Sequence, residues 1–527
     1  MFIFNSSVQI VFLKENILKK SVGNSKNPFI KNQQTWLKNE QQNQVVMLMI
    51  DALNYQQVKQ NFVGLDKILE SEPDNTIYLK SKTDSLTVTG PRILSIMTGT
   101  NPNVIDLVQN VEEPQETKID NILFKLKDQN RTVYHTGANT PWFELFPGSF
   151  TKFTDDEDTQ WKIFSDSDEG AIQFTKDAMN ETFKNGNEEK YVDLIICHLL
   201  GLDHIYHSKK DAYHPSTGKK FKQFEEFLAY ILDNIGNRTL IIQSDHGITP
   251  NGNHGDGSSN ETDIFFFAYS KKGFAKNSNI VKQLLQEIPQ NAIELPQNSE
   301  EKHALNPEGQ LEGILQIDLA VNLANILGLS LPYSSLGMIW PVFYQKIQDG
   351  NEQDEERFKN TIANDCYTVI KQQIQLIKEN IVYQTKFSQE NLKMIFEKEN
   401  EIDQKYIEFQ ISKSNLSKLQ ELFVSAFNLN MQIKGTLSNT SNLEMIDTLK
   451  KNTYLLAFII LVMILTVIIF RQNLKKSQAI NMSNLDETNQ EQQNCTNSIF
   501  NQHLNNTFAN IWICRILNKS LFSISSN

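Results

Sequence analysis

The sequence predicts an α/β fold: a mostly parallel sheet between helices, followed by a helical segment and one transmembrane helix. Three observations carry the prediction. The runs VVMLMI (45–50), YVDLIICHLL (191–200), TLIIQ (239–243) and IFFFAY (264–269) are continuous rather than alternating. Strands buried on both faces read this way, as in a parallel sheet flanked by helices. Helix-like stretches such as 117–129 and 219–235 lie between them, giving a βα rhythm across 44–345. Near the C-terminus, YLLAFIILVMILTVIIF (Tyr454 to Phe470) carries no charge and has about the minimum length that crosses a bilayer core.

Five regions follow. Residues 1–43 are an Asn/Gln-rich lead-in whose start, MFIFNSSVQIVFL, is apolar but has neither a basic beginning nor a small-residue cleavage site; it reads either as a signal remnant or as a start that lacks the true N-terminus. Residues 44–345 form the catalytic α/β domain. Residues 346–452, with Lys, Glu and Gln around spaced Ile, Leu and Phe, form a helical juxtamembrane segment. Residues 453–470 are the span, and 471–527 are a polar tail expected to be disordered. Arg471, Lys475 and Lys476 follow the span, against Lys450 and Lys451 before it. That excess puts the C-terminus in the cytoplasm and the large domain across the membrane. Glycosylation sequons at Asn5, Asn130, Asn180, Asn237, Asn260, Asn415 and Asn439 suit a luminal glycoprotein.

Composition removes other classes. A net charge of -12 and a pI near 5.4 argue against a nucleic-acid surface, which needs clustered Lys and Arg. The four cysteines lie far apart without a CxxC pair, which excludes a Cys-rich zinc module. Any metal site must come from Asp, His and hydroxyl groups.

Such groups follow the apolar runs. Asp51 ends the first, Asp203 follows the second and Asp245 follows the third. In a parallel sheet these strand ends share one edge, where α/β proteins place ligands. Three carboxylates there repel one another unless cations neutralise them or each serves separately as a helix cap. Histidine tips the balance toward cations. LGLDHIYHS adds His207 four residues after Asp203, on one face of a helix. SDHGITPNGNHGDGSS (244–259) adds His246 and His254. Oxygen and imidazole ligands without thiolates suit zinc or manganese. In KTDSLTVTGPRILSIMTG (82–99), hydroxyl residues precede a helix whose first turn holds Pro91. Thr87 or Thr89 is there either an N-cap or a nucleophile at a phosphate-stabilising helix N-terminus. A threonine beside two metals can attack phosphorus and pass the phosphoryl group on.

These pieces, in this order, resemble the GPI ethanolamine phosphate transferases of the alkaline phosphatase superfamily. The resemblance rests on VVMLMIDALN, TVTGPRILSIMTG, LFPGSF, LIICHLLGLDHIYH, SDHGITPNGNHGDGSS and IDLAVNLANILGLSLPYSSLG. TVTGPRI and GLDHIYH are most similar to the type that modifies the second mannose. The resemblance implies Thr87 as nucleophile, with Thr89 in reserve. It implies one metal at Asp51, Asp245 and His246, completed by Thr87, and a second at Asp203, His207 and His254. Asn110 stands where related enzymes contact a phosphate oxygen. The implied cofactors are two divalent ions, zinc or alternatively manganese. The implied reaction moves phosphoethanolamine from phosphatidylethanolamine to a mannose of a GPI precursor in the ER lumen. Three departures stand out. Leu86 replaces the proline common before the nucleophile. GANTPW (137–142) replaces the acidic GDDTW or GDETW, which bears on recognition of the ethanolamine cation. One span stands where the family has many, as in an incomplete gene model, a short paralogue or a protein that relies on a stabilising membrane subunit. A related phosphodiesterase or phosphatase, and an inactive membrane scaffold, are the competing readings.

Overall fold

The computed structural model describes residues 44–101, 119–154, 168–288 and 311–437, apart from 139, 186–187, 348–349, 380–383 and 385–386. The apolar stretch Tyr454 to Phe470, the lead-in, the tail and Asn110 lie outside the described residues. Among the described residues, no helix is long and apolar enough to cross a membrane.

Among the described residues ten strands form: β1 (Val45–Ile50), β2 (Thr76–Lys82), β3 (Val133–Gly137), β4 (Lys152–Phe153), β5 (Thr182–Asn185), β6 (Glu188–Tyr191), β7 (Leu194–Leu199), β8 (Thr239–Gln243), β9 (Asp263–Ser270) and β10 (Gly313–Leu315). Eight make one sheet in the order β10-β2-β9-β8-β1-β7-β3-β4, while β5 and β6 pair separately. The expected run 191–200 is divided: Tyr191 ends β6 and the buried part begins at Leu194. β1 lies parallel between β7 and β8, and both its faces are buried. Val45, Met47 and Met49 join one core layer; Val46, Leu48 and Ile50 join the other. An unbroken apolar run is the sequence that such a strand requires.

The run at 264–269 departs from the parallel expectation. β9 is antiparallel to both β8 and β2. Burial on both faces gives the same pattern whichever way a strand runs, so composition cannot reveal direction. The cause is the connection: after β8 no crossover helix carries the chain to the far edge. Residues 244–262 instead loop at the C-terminal edge of β8, and the chain returns antiparallel from there.

The helix expected at 117–129 is Ile122–Asp128, started by Asn121, whose side chain accepts the Phe124 N–H. The one expected at 219–235 is Ser216–Asn234. The helical segment is not separate from the domain. Glu352–Glu379, Gln389–Ile411 and a helix over 416–437 bury Phe358, Ile362, Phe409, Phe423 and Phe427 in the same core layer as Val45 and Met47.

Candidate metal centre and active site

Three strand ends build the site from neighbouring β1, β7 and β8. Asp51 leaves β1 with its N–H on the Leu199 carbonyl at 3.0 Å. Asp245 follows β8, and its Oδ1 accepts Ala52 N–H at 3.2 Å and His246 N–H at 2.8 Å. β7 turns into the helix Gly201–Lys209, which puts Asp203 and His207 on one face, with His207 Nε2 3.2 Å from Asp203 Oδ1.

Two groups of possible ligands result. Asp51, Asp245 and His246 are fully buried; Asp203, His207 and His254 lie toward the surface. Within each group the donor atoms lie within 4.8 Å of one another. His246 Nε2 is 3.3 Å from Asp245 Oδ2 and 3.7 Å from Asp51 Oδ1. In the second group, His254 and His207 bring their Nε2 atoms to 3.0 Å. The groups adjoin, because the His246 and His254 rings stack with centroids 4.1 Å apart.

Both loop histidines have their tautomers set by backbone carbonyls. A carbonyl can only accept, so His254 Nδ1 donates to Thr87 O (2.7 Å) and His246 Nδ1 donates to Gly247 O (2.9 Å). Each Nε2 lone pair is thereby left facing the carboxylates, as a metal ligand requires. The donor set fits divalent cations on a second count. Asp51 Oδ1, Asp203 Oδ1 and Asp245 Oδ2 are buried oxygens on which no donor among the described residues is aligned, an arrangement costly without positive charge. Burial, then the charges of Asp245 and Asp203, push the Asp51 carboxyl well above its usual range. Burial works to raise Asp203 too, but His207, His246 and His254 outweigh it and hold it lower.

The two threonines have different surroundings. Neither is an N-cap; Val88 occupies that position on the helix Thr89–Thr98. Thr87 is fully buried, donates its hydroxyl to Glu261 Oε2 and accepts the Gly255 N–H at 2.9 Å. Thr89 is partly exposed, with its hydroxyl 3.5 Å from His246 Nε2 and close enough to Asp51 to favour its ionised form. Thr89 is therefore the hydroxyl beside the Asp51 group, while Thr87, expected to complete that group, turns to the 254–261 loop. Leu86 has φ 66, a backbone angle that proline cannot adopt. The substitution for proline thus goes with a different turn before the helix.

Sequence reasoning missed the supports. Glu261 Oε2 also accepts the N–H groups of Gly255 (2.7 Å), Asp256 (3.0 Å) and Gly257 (3.3 Å), which gathers the loop that carries His254. Asp168 accepts Leu200 and Gly201 N–H, each at 3.1 Å, and pairs with Lys220 at 2.8 Å in full burial. It thereby anchors the start of the helix with Asp203. Gln316 donates to the Asp245 carbonyl (2.6 Å) and accepts from Thr83, which Arg92 also contacts. The partners of Asp168 and Gln316 lie more than thirty residues away, so no local motif announced them. Gly247 is needed for a different reason from a strand exit: a Cβ there would lie 2.3 Å from the Asn260 carbonyl oxygen.

The fold and site thus define an α/β domain with two adjoining metal-ligand groups and a threonine at a helix start, on the C-terminal ends of its strands. Comparison with known proteins agrees on the family. Residues 45–262 match the type I phosphodiesterase / nucleotide pyrophosphatase family, and the expected kinship with the GPI ethanolamine phosphate transferases is borne out. The chain is 27% identical to the catalytic subunit of GPI ethanolamine phosphate transferase 3 of Homo sapiens, over 58% of this chain and 26% of that protein. It is 30% identical to GPI ethanolamine phosphate transferase 2 of Saccharomyces cerevisiae, over 52% of this chain and 32% of that protein. It therefore spans about a quarter to a third of the length of these relatives. Murine ectonucleotide pyrophosphatase / phosphodiesterase 5 is similar with a TM-score of 0.38 and 12% identity, over 57% of this chain and 99% of that one, too distant for residue correspondences.

Proposed function

We propose that the protein transfers phosphoethanolamine from phosphatidylethanolamine to a mannose, the second, of a GPI-anchor precursor, at the ER membrane with its catalytic domain in the lumen. The observation that carries the reading is Thr89. Its hydroxyl stands at the start of a ten-residue helix, beside His246 and Asp51. Kinship with the transferases supplies the substrate class. The proposal makes Thr89 the nucleophile and Thr87 a positioning residue, the reverse of the order read from the sequence.

Asp51, Asp245 and His246 would hold one divalent cation and Asp203, His207 and His254 the other, zinc or manganese. Bound there, the ions supply charge neutralisation and lower the pKa of the attacking hydroxyl. Asp51, beside the Thr89 hydroxyl, would orient it toward phosphorus. The free N–H groups at the helix start face the phosphoryl oxygens. Thr89 Oγ forms a bond to phosphorus as the bond to the diacylglycerol oxygen breaks, and that oxygen takes a proton. The acceptor mannose hydroxyl then attacks phosphorus, loses its proton, and releases Thr89 Oγ. Asn110, outside the described residues, is proposed to contact the phosphate, and a membrane subunit to stabilise the whole.

The family model's description favours a second reading, hydrolysis with water as acceptor. One assay separates them. The full chain, in vesicles with phosphatidylethanolamine and a trimannosyl GPI acceptor, is followed by mass spectrometry. Modified acceptor is expected; free phosphoethanolamine alone supports hydrolysis. Thr89→Ala is expected to lower turnover by at least about a thousandfold, with metal content kept, while Thr87→Ala loses about tenfold. The opposite ranking returns the nucleophile to Thr87.

A further inference from the structure

His198 is a buried histidine inside the apolar strand β7, and the reaction as proposed makes no use of it. Its ring touches both sides of a chain of contacts. Trp142 Nε1 donates to His198 Nδ1 at 3.0 Å. Indole N–H is a donor only, so Nδ1 carries no proton and the neutral ring holds its proton on Nε2. That atom faces Asp51, 3.2 Å from Oδ2. The two atoms are within hydrogen-bond distance, although the N–H is not aligned on the oxygen. His198, Trp142 and Asp51 are all buried to within 1% of completely.

The surrounding chain is shaped to hold this ring. β3 approaches β7 so closely that a Cβ on Gly137, at φ 98, would lie 1.8 Å from the His198 carbonyl oxygen. Trp142 is packed against Phe146 and Phe150, with centroids 6.1 and 6.4 Å away, so the indole cannot swing aside. Asp51 meanwhile has two unlike oxygens: Oδ2 faces His198, and Oδ1 faces His246.

We infer that Trp142 and His198 form a positioning relay that holds Asp51 Oδ2 and so presents Oδ1 alone to the cation bound by Asp51, Asp245 and His246. The relay rests on the metal reading above and adds two residues to it. His198 acts through Asp51 and touches neither substrate nor cation. Supports of this kind change metal affinity by about 10- to 100-fold when removed.

The test measures affinity, not turnover, by zinc–chelator competition on the full chain carrying His207→Ala, which leaves the buried group as the high-affinity site. His198→Leu in that background is expected to weaken zinc binding by about 10- to 100-fold. His198→Gln keeps an N–H donor near the Nε2 position and an oxygen to accept from Trp142, so it is expected to stay within about threefold of the parent. Trp142→Phe, which keeps the ring and loses the donor, reads the same relay should His198→Leu not fold, and is expected to weaken binding about threefold to tenfold. Unchanged affinity in both His198→Leu and Trp142→Phe overturns the relay while leaving the metal site intact. Equal losses in His198→Gln and His198→Leu also overturn it, and make His198 a direct ligand. Absence of zinc binding by the parent chain overturns the metal reading and the relay together, so the two failures are told apart.

Discussion

Glu261 governs the loop 254–261 more than any residue of the histidine motif itself. Burial works to raise its pKa, but the adjoining Asp256 carboxyl, itself raised by Glu261, the hydroxyls of Thr87 and Ser258 and the Gly257 N–H prevail and hold it down to about 2. A depressed carboxylate contributes stability above its unfolded pKa, near 4.5, and that stability fades as pH falls toward 2. Metal-stripped wild type is therefore expected to lose melting temperature steeply between about pH 5 and 3, and Glu261→Gln less steeply, by calorimetry. Parallel curves would deny the carboxylate this role. Glu261→Ala leaves the part-buried N–H groups of 255–257 without their acceptor, at about 0.5–1.5 kcal/mol each, and is expected to weaken metal binding at His254. The sequence made the histidines legible because they are scarce and sit beside Asp and Gly. Glu261 escaped notice because an isolated Glu after SSN is ordinary. The ranking of Thr87 and Thr89 was not legible either: they are alike and two residues apart, and only the point where the helix begins separates them.

Among elements, the helix Gly201–Lys209 shows how a buried ion pair can aim the side chains proposed as metal ligands. No side chain caps its start. Asp168 does so from a distance, accepting two backbone N–H groups while Lys220, on the helix Ser216–Asn234, neutralises it. Gly201 makes room, since a Cβ there would lie 2.2 Å from Asp168 Oδ2. Removing one partner of a buried pair costs about 3–5 kcal/mol. Lys220→Met is thus expected to lower the melting temperature by several degrees and to loosen the cation held by Asp203 and His207 more than the buried one. Equal loosening of both sites, measured by chelator competition, would show general softening instead. The i, i+4 placement of Asp203 and His207 was readable from the sequence because helical periodicity is local. The Asp168–Lys220 support was not, because it joins two segments fifty residues apart. The same limit hid the direction of β9, which the path of the 244–262 connection decides.

At the scale of the molecule, the helical segment after residue 345 completes the core of the α/β domain. Trp340 meets Phe427 with ring centroids 5.5 Å apart. Asn430 bonds the Leu336 carbonyl at 3.0 Å and Gln373 at 2.8 Å. Lys434 reaches Asp318 at 2.7 Å, both side chains almost wholly buried. Asp318 also accepts the Met338 N–H and the Trp340 indole, so one carboxylate ties the helix Asp318–Leu327, the 338–340 turn and the 416–437 helix together. The sequence suggested a boundary near 345 because strand-like runs end there and Lys/Glu/Gln-rich helices begin. Burial of Phe409, Phe423 and Phe427 shows that the boundary in composition is not one in packing. A chain ending at residue 345 would expose the layer those helices cover, at about 25 cal/mol for each Å² of apolar surface. It is expected to aggregate or bind hydrophobic dye, whereas a chain ending at residue 443 melts in one cooperative transition. Lys434→Met in the longer chain leaves Asp318 buried with three remaining donors, from Leu315, Met338 and Trp340, and is expected to cost about 3 kcal/mol. If instead the 345 chain melts cooperatively and binds two zinc ions with unchanged affinity, the catalytic domain is independent of the helices that cover it.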